Sequence, residues 1–212
     1  GDEDTRTMIE AVPTGWWYTA QLPCNKRVTM YFTDRDDPTV KNARSKAGFI
    51  DLMNETHFIK RKLNENEYTL LNAPFGKPAG SSKAQTVAGN NWLAVGDAAC
   101  SFDPLSSQGI FFAIESASFA ADLVKENITN GKVFSQEYSN FINEKYVEYL
   151  EAHYYYYSNE KRWADRYFWK KMYQYTFSAL GDRGGEIQKP PKIFTRSSFQ
   201  TLGTGKIKLR DD

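Results

Sequence analysis

Residues 92–124, WLAVGDAACSFDPLSSQGIFFAIESASFAADLV, constrain the fold more than any other part of the chain. The apolar run Trp92-Leu93-Ala94-Val95 stops abruptly at Gly96-Asp97, the pattern of a buried strand that ends in a turn. A proline-containing loop follows. From Ile110 onward, Ala113, Ile114, Ala117, Ala120, Ala121 and Val124 recur at helical spacing as a stripe of small and branched side chains. This predicts a helix over about residues 108–125, packed closely on something flat, most naturally a sheet. Strand, loop and helix in that order set an acidic residue at a strand's C-terminal end beside a helix N-terminus. Ligands of open α/β sheets gather at such ends.

The chemistry offered there is specific. Asp97 supplies a carboxylate that can accept hydrogen bonds from a diol. Gly96 and Gly109 have no Cβ, so backbone can approach a ring or chain closely. The helix entered through Gln108-Gly109 presents orphan N–H groups and a positive dipole end, suited to an anionic or electron-rich group.

The remainder reads as strands first and helices later. Residues 15–23 (GWWYTAQLP) and 27–34 (RVTMYFTD) form a β-hairpin signature around Cys24, Asn25 and Lys26. Asp37-Pro38 is an N-cap followed by a first-turn proline, and one helix is expected over about 38–53, with a second over 57–63. Residues 67–72 (EYTLLN) read as a strand, and 73–86 as a loop between subdomains. Ser135 is expected to cap a long helix carrying Tyr138, Ile142, Tyr149, His153 and Tyr157 on one face. A third helix is expected over about 160–177, and residues from Gly181 onward read as a loop and frayed tail.

With 27 basic and 26 acidic residues the formal charge is +1, which argues against an electrostatic role on nucleic acid. A 15% aromatic content supports a sizeable core. Cys24 and Cys100 lack metal spacing, and His57 and His153 have no partner ligand nearby, so no metal site is expected. No run reaches about 18 apolar residues, and the start of the chain is acidic, so no integral membrane segment is expected and the protein reads as cytoplasmic. Cys100 is expected to be a small buried filler.

Gly96-Asp97-Ala98-Ala99, then Asp103-Pro104 and Gln108-Gly109, resembles the second FAD-binding signature of the flavoprotein aromatic hydroxylases, and more closely that of their tryptophan-halogenase-like branch. The stretches around GWWYTAQLP and YYYSNEKRWADRYFW extend the likeness over most of residues 15–170. The resemblance implies FAD as cofactor, with Gly96, Asp97, Asp103, Pro104, Gln108 and Gly109 at its site. Asp97 would bind a ribityl hydroxyl, Pro104 would pass beside the isoalloxazine, and the Gly109 helix would face the N1/C2=O edge. Trp16 and Tyr18 are candidates for the substrate wall.

Two departures shape the expectation. Gly76, Gly80 and Gly89 do not have the spacing of the Gly-x-Gly-x-x-Gly turn that holds the pyrophosphate in such enzymes, so the first half of the FAD domain is expected to lie outside this chain. FAD retention by the chain alone should then be weak or absent. The halogenase Trp-x-Trp-x-Ile-Pro motif aligns with Trp16-Trp17-Tyr18-Thr19-Ala20-Gln21, where Tyr18 replaces the second Trp and no Ile-Pro follows. This favours oxygen insertion or another flavin reaction over halogenation.

The expected fold class is α+β, a fragment of the hydroxylase-type FAD-binding fold: part of a substrate domain (1–86) with antiparallel strands, the returning strand and helix of the FAD domain (87–130), C-terminal helices (131–180) and a tail (181–212). The expected function is an FAD-dependent monooxygenase acting on an aromatic or other apolar substrate, a small molecule or an aromatic side chain. Alternatives are a flavin halogenase, a prenyl-group reductase, and a non-catalytic binding module. Self-association is expected near residues 92–124.

Overall fold

The computed structural model describes residues 2–131 and 133–180. The expected tail lies outside the described residues. The architecture is α+β. Strands β1 (Met8–Val12), β2 (Gly15–Leu22) and β3 (Lys26–Phe32) form an antiparallel sheet in that order. The β2–β3 hairpin is the expected one, with Trp16 opposite Phe32 and Trp17 opposite Tyr31. Its turn places Cys24 (φ 62°) and Asn25 (φ 53°) in the left-handed region. β1 lacks a sequence signature, because Glu10 interrupts its apolar residues. That glutamate is used structurally: its carboxylate accepts the amides of Phe58 (3.0 Å) and Ile59 (2.9 Å).

Period-two alternation sends Trp16 and Trp17 to opposite faces of the sheet, and both are buried. Trp17 packs with Val12, Leu52 and Ile59 beneath α2 (Lys46–Asn54) and α3 (Phe58–Glu65). Trp16 packs with Tyr157, Phe168 and Trp169 from the C-terminal helices. The Trp169 indole donates to the Val12 carbonyl at 2.8 Å and ties those helices to β1.

The helix expected over 38–53 is two helices, α1 (Thr39–Ala43) and α2, broken at Arg44-Ser45. Ser45 adopts an extended conformation and its hydroxyl accepts the Gly48 amide, so it caps α2. Asp37 does cap α1, accepting the Thr39 amide at 2.9 Å. The strand expected at 67–72 is absent: Glu67 is left-handed (φ 52°) and the Tyr68 amide returns to the Leu63 carbonyl, closing the end of α3.

The chain then forms two minimal ladders. β4 (Ser82–Lys83) pairs with β7 (Cys100–Ser101), and β5 (Ala88–Gly89) pairs with β6 (Trp92–Leu93), both antiparallel. The buried strand expected at 92–95 is therefore only two residues long. Trp92 and Val95 are exposed, because among the described residues β5 alone pairs with it.

Three helices follow among the described residues: α4 (Gly109–Asn130), α5 (Ser135–Asn159) and α6 (Tyr167–Leu180). Ser135 is the first residue of α5 and makes no cap bond. α6 starts later than expected because the Glu160 carboxylate holds the Arg162 amide in a turn. The buried face of α4 is Phe112, Ser116, Ala120 and Leu123, packed on Tyr138 and Ile142 of α5. The expected packing stripe is largely on the other side: Ile110 is 82% exposed and Ile114 54%.

Candidate functional site

The turn after β6 is set by one glycine. Val95 is extended, Gly96 is left-handed (φ 56°), and a short 3-10 turn runs over Gly96–Ala98. The Gly96 amide donates to the Ser116 hydroxyl at 3.0 Å, and a Cβ at Gly96 would lie 3.2 Å from that of Ala113. The turn is thus pressed onto α4 where even a Cβ would crowd Ala113. Gly109, Ala113 and Ser116 follow one another at helical spacing, so the start of α4 lies one turn along the same side. Asp97 stands exposed at the turn, and its carboxylate has no partner among the described residues.

The connecting loop is organised by Asp103. Its Oδ1 accepts the Leu105 amide at 2.8 Å and caps a 3-10 turn over Pro104–Ser106, with Pro104 at the first position. Ser107 is left-handed (φ 52°) and turns the chain into Gln108, which makes no side-chain cap for α4. Beside Gly109 the space is open, with nothing within 4 Å of where a Cβ would stand. Pro104 is exposed and Gln108 half-buried.

Asp103 also ties this loop to the rest of the molecule. Its Oδ2 accepts the Tyr157 phenol at 2.9 Å, and its amide donates to the Tyr149 hydroxyl at 3.1 Å. Tyr157 in turn accepts the Trp16 indole N–H at 2.9 Å, and Tyr149 bonds Ser81. Burial and the Asp103 carboxylate push the Tyr157 phenol well above its ordinary pKa, so Tyr157 is a donor throughout the physiological range. His153 stacks on Tyr157 with ring centroids 4.3 Å apart, and its Nδ1 pairs with the Thr176 hydroxyl at 2.7 Å. Between the loop and α5 lies a cavity of about 10 Å³, lined by Leu105, Ser106, Tyr149, His153 and Tyr157 among others, room for one water.

The expected cofactor residues therefore divide by environment. Gly96, Asp97, Pro104, Gln108 and Gly109 lie along one turn, loop and helix start. Asp103 is among them in the chain but spends both carboxylate oxygens on protein groups, so what it contributes is the position of the loop. Sequence reading missed Ser116, Tyr149 and Tyr157 as partners of this segment. The i, i+4, i+8 spacing of Tyr149, His153 and Tyr157 marked a common helix face, but nothing in that spacing indicates that Asp103 meets it. Trp16 is core, stacked on Phe32 with centroids 4.0 Å apart, whereas Tyr18, on the same face, is half-buried. Cys100 is a buried filler whose thiol burial raises to about 11. Tyr154 and Tyr157 of the tyrosine run are buried, and Tyr155 and Tyr156 half-buried.

Residues 11–202 match the tryptophan halogenase family. The chain belongs to that family. Its relative LodB of Marinomonas mediterranea, whose name places it among the FAD-dependent oxidoreductases, is 32% identical over 172 residues, 81% of this chain and 45% of LodB. Solved structures that share the fold include two of low sequence identity. QhpG, a peptidyl tryptophan dihydroxylase essential for tryptophylquinone cofactor biogenesis, has a TM-score of 0.62 at 20% identity, over 78% of this chain and 39% of its own. The flavin-dependent halogenase CmlS has a TM-score of 0.59 at 17% identity, over 95% of this chain and 41% of its own. The chain spans less than half the length of each of these three. The family is one of flavin enzymes. Among the described residues, no helix is long and apolar enough to cross a membrane, and no cluster of His, Cys, Asp or Glu could hold a metal ion.

Proposed function

We propose that this chain forms the flavin-edge and substrate-domain portion of an FAD-dependent monooxygenase that inserts oxygen into an aromatic group. The observation that carries this reading is the Gly96 turn seated on α4 at Ala113 and Ser116, which leaves the Asp97 carboxylate free about one helical turn from the uncapped helix start, where the space at Gly109 is open. That set of groups fits one part of FAD: a carboxylate for a ribityl hydroxyl and a positive helix end for the electron-rich edge of the ring. FAD, when bound, supplies the electrons that activate oxygen.

The protein's own part is positional. Asp103, held by Tyr157 and Tyr149, fixes the loop, so that Pro104 would lie beside a bound flavin ring and the α4 N-terminus would face its edge. Residues 1–86 then contribute the substrate side, with Tyr18 the more open of the two wall candidates; residues 87–130 contribute the cofactor side, and 131–180 buttress both. QhpG acts on a tryptophan within a peptide, which supports an aromatic side chain as the substrate class. Without a pyrophosphate site the chain alone would lose several charge-assisted hydrogen bonds and should purify colourless.

The halogenase reading is favoured by the family match and by the likeness to CmlS, whereas Tyr18 and the missing Ile-Pro favour oxygen insertion. The test is turnover of a tryptophan-containing peptide by the FAD-loaded full-length enzyme with a flavin reductase and oxygen, in the presence and absence of chloride or bromide. Oxygenated product in both conditions is expected. Strictly halide-dependent turnover would overturn the monooxygenase reading.

A further inference from the structure

We propose that Tyr157 is a redox-active tyrosine that traps oxidising equivalents arriving through Trp163 and Trp169, with Asp103 taking up its phenolic proton. The geometry belongs to this chain alone and does not rest on the flavin reading. Tyr157 is 2% exposed, and its hydroxyl already points at a carboxylate oxygen 2.9 Å away. The Trp16 N–H donates to the same phenolic oxygen at 2.9 Å and fixes its position for that transfer. Burial disfavours a free phenolate, so electron and proton must leave together, and the hydrogen bond to Asp103 provides that route. Tyr68 also reaches a carboxylate, that of Asp2 at 3.1 Å, but both oxygens of that carboxylate are already engaged by the cations Lys62 and Arg27.

An aromatic path connects Tyr157 to the surface. The Tyr157 and Trp169 ring centroids are 5.8 Å apart, and those of Trp169 and Trp163 are 6.4 Å apart with the planes 29° from parallel. Trp169 is buried and Trp163 half-buried. The Arg162 guanidinium, paired with the Glu160 carboxylate, lies 4.3 Å from the Trp163 ring centroid and holds that indole against the turn.

The electrons and atoms balance as follows. A one-electron oxidant of the small-radical class takes an electron from Trp163 and is reduced. Trp169 refills Trp163. Tyr157 then gives an electron to Trp169 as its O–H bond breaks, and the proton moves to Asp103 Oδ2. What remains is a neutral phenoxyl radical at Tyr157, a protonated Asp103 and two intact indoles. A thiol-class reductant returns one electron to the phenoxyl, Asp103 returns the proton, and the oxidised thiol releases its own proton to water.

The test is pulse radiolysis of the protein with azide radicals, which oxidise indoles. It is done in a Trp92→Phe background because Trp16, Trp17 and Trp169 are buried, leaving Trp163 as the indole within reach of solvent. The indolyl absorption should decay as a phenoxyl absorption grows, at a rate independent of protein concentration. Tyr157→Phe should abolish most of that growth although 12 of the 13 tyrosines remain. Trp169→Phe and Asp103→Asn should each slow it. Undiminished phenoxyl growth in Tyr157→Phe overturns the proposal. Placing a fluorinated tyrosine at 157 keeps the ring, hydroxyl and packing; the freeze-quenched radical should then show an altered EPR hyperfine pattern, and an unaltered pattern overturns the proposal equally.

Discussion

The Gly96 amide donates to the Ser116 hydroxyl at 3.0 Å, and this bond seats the turn that carries Asp97 on the middle of α4. Both groups are buried, so Ser116→Ala leaves an N–H without a partner and should cost about 1–3 kcal/mol. Gly96→Ala meets two penalties, a left-handed backbone and a Cβ 3.2 Å from that of Ala113, and should cost at least about 1–2 kcal/mol. Urea denaturation of each variant checks this. Midpoints equal to that of the parent protein would show that the turn is not held by α4.

Asp103 and Tyr157 should behave as a coupled pair. Tyr157→Phe removes a donor from Asp103 Oδ2 and an acceptor from the Trp16 indole, at about 1–3 kcal/mol. Asp103→Ala also removes the cap on the 3-10 turn and should cost more. Because they share one hydrogen bond, the double variant should be less destabilised than the sum of the singles. A double-mutant cycle by chemical denaturation measures the coupling, and strict additivity would contradict it.

How much of this was legible depends on the range of the interaction concerned. The β2–β3 hairpin, the long helices and the order of turn, loop and helix after Trp92 come from local periodicity, which the sequence displays. The break at Ser45 is also local, a cap followed by Gly48, hidden by apolar residues that keep helical spacing across it. The role of Asp103 is different in kind. Its partner Tyr157 lies 54 positions away, and an aspartate before a proline carries no mark of whether it faces a cofactor or a phenol. The exposed side of α4 is a third case: apolar spacing shows which residues share a face, but not which surface is present to cover it.

The two thiols should differ in reactivity and in pH response. Cys24 is exposed and Cys100 buried, so one thiol should react with a disulfide reagent in the native protein and the second only on unfolding. Burial pushes the Cys100 thiol up to about 11 and the Tyr138 phenol up to about 12. Both bind their protons more tightly folded than unfolded. Their contribution is therefore fully present below pH 9, the ordinary thiol value, and is lost as pH rises through 11 to 12. Denaturation midpoints should fall steeply over that window. Stability that rises with pH there would contradict the assignment.

The outer face of α4 should drive association of the chain by itself. Ile110, Ile114 and Ile128 are 82%, 54% and 79% exposed along it. An exposed apolar helix face of this kind is uncommon on monomers. Sedimentation velocity should show concentration-dependent self-association that Ile114→Lys weakens. A monomer at every concentration would show that this face needs no cover.

The role proposed for Asp97, free at the turn seated on α4, is to hold the flavin. It is tested most directly by the FAD content of the full-length enzyme carrying Asp97→Ala, read from flavin absorbance per protein after purification. A carboxylate accepting from a ribityl hydroxyl contributes about 1.5–3 kcal/mol, so affinity should fall by roughly tenfold or more and occupancy should drop in the folded variant. Flavin occupancy equal to that of the parent enzyme would contradict the assignment of Asp97 and, with it, the placement of the cofactor at this turn.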